Sequence, residues 1–141
     1  MTDDAAIEVV KRGYDAWARG DIEGLFSIMD PEIEWHPPPN FPEHGPHRGV
    51  EAIRRAMSSY GETFDYFVSE PKRILATGRP GEVLALATTR TRGRGSGAEV
   101  AIEVAHLFEV RDGKVVRMEV IPDQREALRR VGLDPTLAEG G

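Results

Sequence analysis

The sequence predicts an α+β fold in which helices come first and a largely antiparallel sheet follows. Three observations lead there. Apolar residues recur at helical spacing as far as Tyr60; they alternate with period two from Phe64 onward; and turn residues cut the alternating part into separate runs. Such a sheet, strongly curved around one long helix, would enclose a cavity at its open end. A flatter sheet covered by helices fits the same pattern, and periodicity does not choose between the two.

Ile7, Val10, Tyr14 and Trp17 form the stripe of the first helix. Asp3 and Asp4 place negative charge where the helix dipole is positive, and Gly20 stops the helix. Asp21 caps a second short helix carrying Ile22, Leu25, Phe26 and Met29, which Asp30-Pro31 closes, so the two make a helical hairpin. Glu32 to His36 alternates as a short strand. The stretch Pro37, Pro38, Pro39, Asn40, Phe41, Pro42 lacks the amide donors of a central strand and is expected as a surface or rim loop. Gly49 opens a third helix, with Val50, Ile53, Met57 and Tyr60 on one face and Gly61 at its end.

Four strands follow, near Phe64 to Thr77, Glu82 to Arg92, Glu99 to Val110 and Lys114 to Ile121. Arg111-Asp112-Gly113 is a strong hairpin signal, so the four run as an antiparallel meander. Asp123 and Glu126 make a capping-box variant for a last helix with Ala127, Leu128 and Val131, ended by Gly132. Residues 134–141 are expected to fray. Without repeat or linker, residues 1–141 read as one domain with its core from about 5 to 133.

The chain has 141 residues, a net charge of -6 and no cysteine, which excludes disulfides, a thiol nucleophile, iron–sulfur ligation and thiolate zinc. The acidic start Met-Thr-Asp-Asp lacks the features of a signal peptide, and the longest aliphatic run, Val83 to Ala87, is too short to span a bilayer. A cytoplasmic protein with no membrane partner is expected. The acidic balance argues against nucleic acid as a partner, and Arg90, Arg92 and Arg94 read as a solvated hairpin tip. His44 and His47, with Glu43, lie in a proline-rich loop without the support that fixes ligand geometry, so no metal is expected. No nucleophile elbow, Walker loop or dinucleotide fingerprint occurs in a strand-to-helix setting, and no organic cofactor is expected.

His106 shares a strand face with Ile102, Val104, Phe108 and Val110, while Ala101, Glu103, Ala105 and Glu109 lie on the other, so the imidazole points to the apolar side. His36 ends the first strand on the opposite parity from Ile33 and Trp35. It faces the cavity mouth if the strand twists there, and is otherwise a rim histidine bonded to backbone. Trp17, Met57, Val104 and Phe108 are expected to line an apolar pocket. If Leu84 and Leu86 face the core, Arg90 continues that face and could hold an anionic or carbonyl group. Ala85 and Ala87 then point outward and, with Ala101 and Ala105, offer a flat small-residue surface for a homodimer.

Several short segments carry a family resemblance: Ala-Arg-Gly-Asp-Ile-Glu-Gly-Leu-Phe after the first helix, Asp30-Pro31-Glu32 leading to Trp35-His36-Pro37, and His47-Arg48-Gly49. His106-Leu107-Phe108, Asp112-Gly113-Lys114, Pro122-Asp123, Ala127-Leu128 and Val131-Gly132 continue it. In order and spacing the chain resembles the SnoaL-like polyketide cyclase group of the nuclear transport factor 2-like superfamily. The resemblance implies a cone-shaped roll with an apolar pocket inside the curved sheet, often dimeric. It implies a functional histidine at His106, and, by analogy with the ketosteroid-isomerase-like branch, a base position near His36. That branch's helix-one tyrosine falls on Gly13, with Tyr14 one residue and 100 degrees away. The cyclases' aspartate base, two residues before Pro122, is here Val120, which implies loss of their aldol mechanism. Asp123 is the nearest carboxylate in sequence, and its place at a helix start suits a cap.

Two functions fit these residues. One is a cofactor-free enzyme using His36 and His106 for proton transfer, with Tyr14 or Arg90 stabilising an enolate oxygen. The other is a protein that binds a small hydrophobic carbonyl compound without turnover. Histidines converging on one ligand favour the first, and separated or packed histidines the second.

Overall fold

The computed structural model describes residues 2–38 and 45–139. The Thr2 hydroxyl accepts from the Ala5 amide and starts α1 (Asp3–Ala18), and the Asp21 carboxylate accepts from Gly24 to start α2 (Ile22–Ser27). The chain continues through β1 (Met29–His36), β2 (His47–Arg48), α3 (Val50–Thr63), β3 (Phe64–Ala76), β4 (Glu82–Gly93), β5 (Glu99–Arg111), β6 (Lys114–Ile121) and α4 (Gln124–Arg130), and ends in a 3₁₀ turn, Pro135–Ala138. One curved sheet holds the strands in the order β2-β1-β6-β5-β4-β3. From β3 to β6 it is an antiparallel meander, joined by β1 running parallel to β6. Asp112 and Gly113, at φ 53° and 79°, form the two-residue β5–β6 turn, whose positive φ values match the twist of the hairpin.

Four expectations about local structure are corrected. Met29 begins β1 rather than ending the α2 stripe, because the Val115 amide donates to the Ile28 carbonyl and draws the chain into the sheet. His47 and Arg48 form a short strand opposite Trp35 and Glu34. Helix α3 runs past Gly61 to Thr63, since a glycine in an exposed last turn lowers helix propensity without breaking the helix. Residues 134–138 are not frayed: Asp134 caps the 3₁₀ turn by accepting from Thr136, and Leu133, Leu137 and Ala138 pack beside α4. Residues 39–44, with Glu43 and His44, lie outside the described residues.

The sheet is covered on both faces. Helices α1, α2 and α3 fill the concave side with Val9, Val10, Phe26 and Ile53 against Ile33, Val83 and Val115. Gly13 lets α1 come close, since a Cβ there would stand 3.1 Å from Ile28 Cδ1. On the outer side α4 lays Ala127 and Leu128 over Leu84, Leu86, Ala105, Leu107 and Ile121. The α4 start is held by Asp123 accepting from Glu126 and by Gln124, which donates to the Ala87 and Val104 carbonyls.

This double covering reverses the expected parity of β4. Ala85 pairs with His106 and Ala87 with Val104, so the alanines share the concave face, while Leu84 and Leu86 point to α4. Ala85, Ala87 and Ala105 are each wholly buried within one chain, so they cannot form the dimer surface expected of them.

Candidate functional site

A cavity of about 190 Å³ lies between the concave face of the sheet, α1 and α3. Tyr14 and Trp17 of α1, Met57 of α3, Val104 and Phe108 of β5 and Val120 of β6 line it, as does His106. None of the described residues lining it carries a carboxylate, ammonium or guanidinium group. Ile102 lines the cavity yet is 46% exposed, so this part of β5 marks the mouth.

Four residues deeper along β5, the imidazole of His106 meets the Tyr14 hydroxyl, Tyr14 Oη to His106 Nδ1 being 2.6 Å. The rings stack at 5.8 Å, and Phe108 meets both edge-on. Burial pushes Tyr14 above its ordinary value and lowers His106 to about 4, so both are neutral at pH 7. The hydroxyl and the imidazole carry one hydrogen each, and the bond between them uses one of the two. In either tautomer the pair therefore keeps one hydrogen-bond donor in an apolar chamber. Val120 is the cross-strand partner of His106 on the same face, so the position beside the imidazole holds isopropyl rather than carboxylate.

His36 does not join this group. Trp35 lines the cavity, and alternation turns His36 the other way, where Nε2 lies 3.2 Å from Glu34 Oε1. The same carboxylate holds Arg48 at 3.2 Å. Arg90 is likewise outside: the β4 register puts it on the outer face, half exposed and 3.6 Å from Glu70. Arg92 and Arg94 both pair with Asp65, so the alternating arginines do not form a free cationic patch.

Among the cavity residues that sequence reasoning missed are Trp35, Tyr60, Phe67, Ser69 and Thr89. Trp35 and Tyr60 meet edge to face at 6.0 Å, and Tyr60 stacks on Phe67 at 5.1 Å, forming an aromatic wall. Trp17 is fixed against that wall because its indole N–H donates to the Phe67 carbonyl at 2.9 Å. Ser69 and Thr89, cross-strand partners near the mouth, bond to each other at 3.0 Å. The β3–β4 register is the signal that would have found them. Among the described residues no cluster of three or more histidines and carboxylates is placed to hold a metal ion, and no helix is long and apolar enough to cross a membrane.

A family model described as a SnoaL-like domain matches residues 10–118. An uncharacterised protein of Mycobacterium tuberculosis is 27% identical over 118 residues, covering 84% of this chain and 88% of its own. Among solved structures, Bal32a from a soil-derived mobile gene cassette is 29% identical with a TM-score of 0.74, covering 83% of this chain and 88% of that one. TerC, co-crystallised with polyporic acid, is 23% identical with a TM-score of 0.76 over 90% of this chain and 98% of that one.

Proposed function

This chain belongs to the SnoaL-like domain family, and from that premise we propose that it binds one small, uncharged, largely apolar carbonyl compound, without base-catalysed turnover. The observation that carries this reading is the Tyr14–His106 pair set in a chamber whose described lining has no charge. Removing apolar ligand surface from water supplies the affinity, at roughly 25 cal/mol per Å². The remaining proton of the pair supplies orientation by donating to a ligand oxygen. A carboxylate ligand would lose its hydration without gaining a counter-ion, so anions are rejected.

The same features argue against proton abstraction. An imidazole held near 4 is a weak base at pH 7, where a general base works best with a value close to the operating pH. Val120 supplies no carboxylate, and His36 is turned away from the ligand. The structural likeness to TerC bears on the fold alone.

A homodimer fits this reading through the part of the outer face that α4 leaves open, where Tyr66, Val68 and Ala101 surround the Arg90–Glu70 pair. Sedimentation of a single monomeric species at 50 to 100 micromolar, roughly the range where a weak contact of this kind would form, would remove the dimer and leave the binding site intact.

Thermal denaturation with 2-acetylnaphthalene tests the binding function. Ligand at about a hundredfold over its Kd stabilises the folded chain by roughly 2.7 kcal/mol, so the wild type should melt several degrees higher. His106→Leu should show a much smaller rise. No rise in the wild type overturns the reading.

A further inference from the structure

The Ser69–Thr89 pair lies in the same cavity as His106, toward its mouth. Its two hydroxyls carry two hydrogens, and the bond between them uses one. The second hydrogen has no acceptor among the described residues, although Thr89 is 5% exposed and both residues face the cavity. Thr89 is buried and Ser69 partly buried, so the free hydrogen is at least partly withdrawn from water, a cost that valine and alanine in these strands would avoid. Its natural acceptor is an atom of whatever fills the chamber.

Register sets the geometry. Thr89 stands four residues along β4 from Ala85, the cross-strand partner of His106, which separates the two polar points by roughly 13 Å of strand. Hydrogen bonds of about 2.8 Å at each end leave roughly 8 Å between the two ligand oxygens. That is the span of a two-ring aromatic substituted at opposite ends. The size agrees: an apolar cavity of about 150 Å³ takes one benzene ring, and this one is about 190 Å³.

Resting on the proposed binding function, we propose that the Ser69–Thr89 hydroxyl pair is a second polar anchor. It selects uncharged one- or two-ring molecules that carry an oxygen at each end, one at His106 and one near the mouth. The pair both donates and accepts, so it takes a hydroxyl or a carbonyl at that remote end.

Three probes separate the possibilities by titration calorimetry at pH 7.5: 2-acetylnaphthalene, 6-hydroxy-2-acetylnaphthalene and 1-hydroxy-2-acetylnaphthalene. With the ketone at His106, the 6-hydroxyl reaches the pair and the 1-hydroxyl does not. The 6-hydroxy compound should bind the wild type about tenfold more tightly than the parent ketone, the usual worth of one buried hydrogen bond. In Ser69→Ala/Thr89→Val, whose folding is checked by circular dichroism, that ratio should fall to about one. A wild-type ratio near one, a ratio that survives the double substitution, or an equal gain from the 1-hydroxyl would overturn the anchor while leaving the binding function standing. Failure of the parent ketone to bind the wild type would overturn both.

Discussion

Tyr14 and His106 depend on each other. Without the tyrosine hydroxyl, Nδ1 becomes a buried polar atom with no partner. Tyr14→Phe should therefore cost about 1 to 3 kcal/mol by urea denaturation and weaken ketone binding; unchanged stability and affinity would show that the hydroxyl does not orient the imidazole. Burial also makes His106 a source of pH-dependent stability. Its folded value of about 4 lies below its ordinary 6.5, so between those limits the unfolded chain binds more protons. Stability contributed by this group is complete above pH 6.5 and falls as pH decreases through the window, by about 2 kcal/mol at pH 5. Urea midpoints at pH 7.5 and 5 should differ more for the wild type than for His106→Leu, and equal differences would contradict the burial argument. The place of His106 on the cavity face rests on strand alternation that was readable in the sequence. The Tyr14 contact was not, because one residue of helical rotation separates it from the position the resemblance implied.

Elements with one covered face were legible and those with two were not. The β5 face could be assigned because Glu103 and Glu109 alternate with Val104, His106 and Phe108. In β4, Val83 to Ala87 is apolar on both sides because α4 lies on one face and the helical layer on the other, so alternation carried no information. Assigning the larger leucines to the cavity then misplaced Arg90 and the alanines together, since a one-residue slip turns every side chain over. Ser69 and Thr89 were missed for a related reason: hydroxyl residues are common on strands, and their cross-strand pairing requires the register. The last helix was easier, because its cap chemistry is local. Asp123 accepts from the Glu126 amide as the α4 cap, so Asp123→Asn should be nearly silent and Asp123→Ala should cost about 1 kcal/mol in chemical denaturation. Loss of ketone binding in Asp123→Asn would instead give this carboxylate a role in the site.

At the scale of the whole molecule, the fold places a curved sheet around helices and leaves its concave face partly unfilled. Charged side chains stay outside the described lining of that space, which is why ligand charge is the sharpest discriminator of the proposed function. Calorimetric titration at pH 7.5 with 2-acetylnaphthalene and 2-naphthoate compares two ligands of nearly equal shape that differ in charge. The account predicts that the ketone binds and the naphthoate binds at least a hundredfold more weakly, the loss expected when about 3 kcal/mol of charge desolvation goes uncompensated. Equal binding of the two, or tighter binding of the anion, would contradict it.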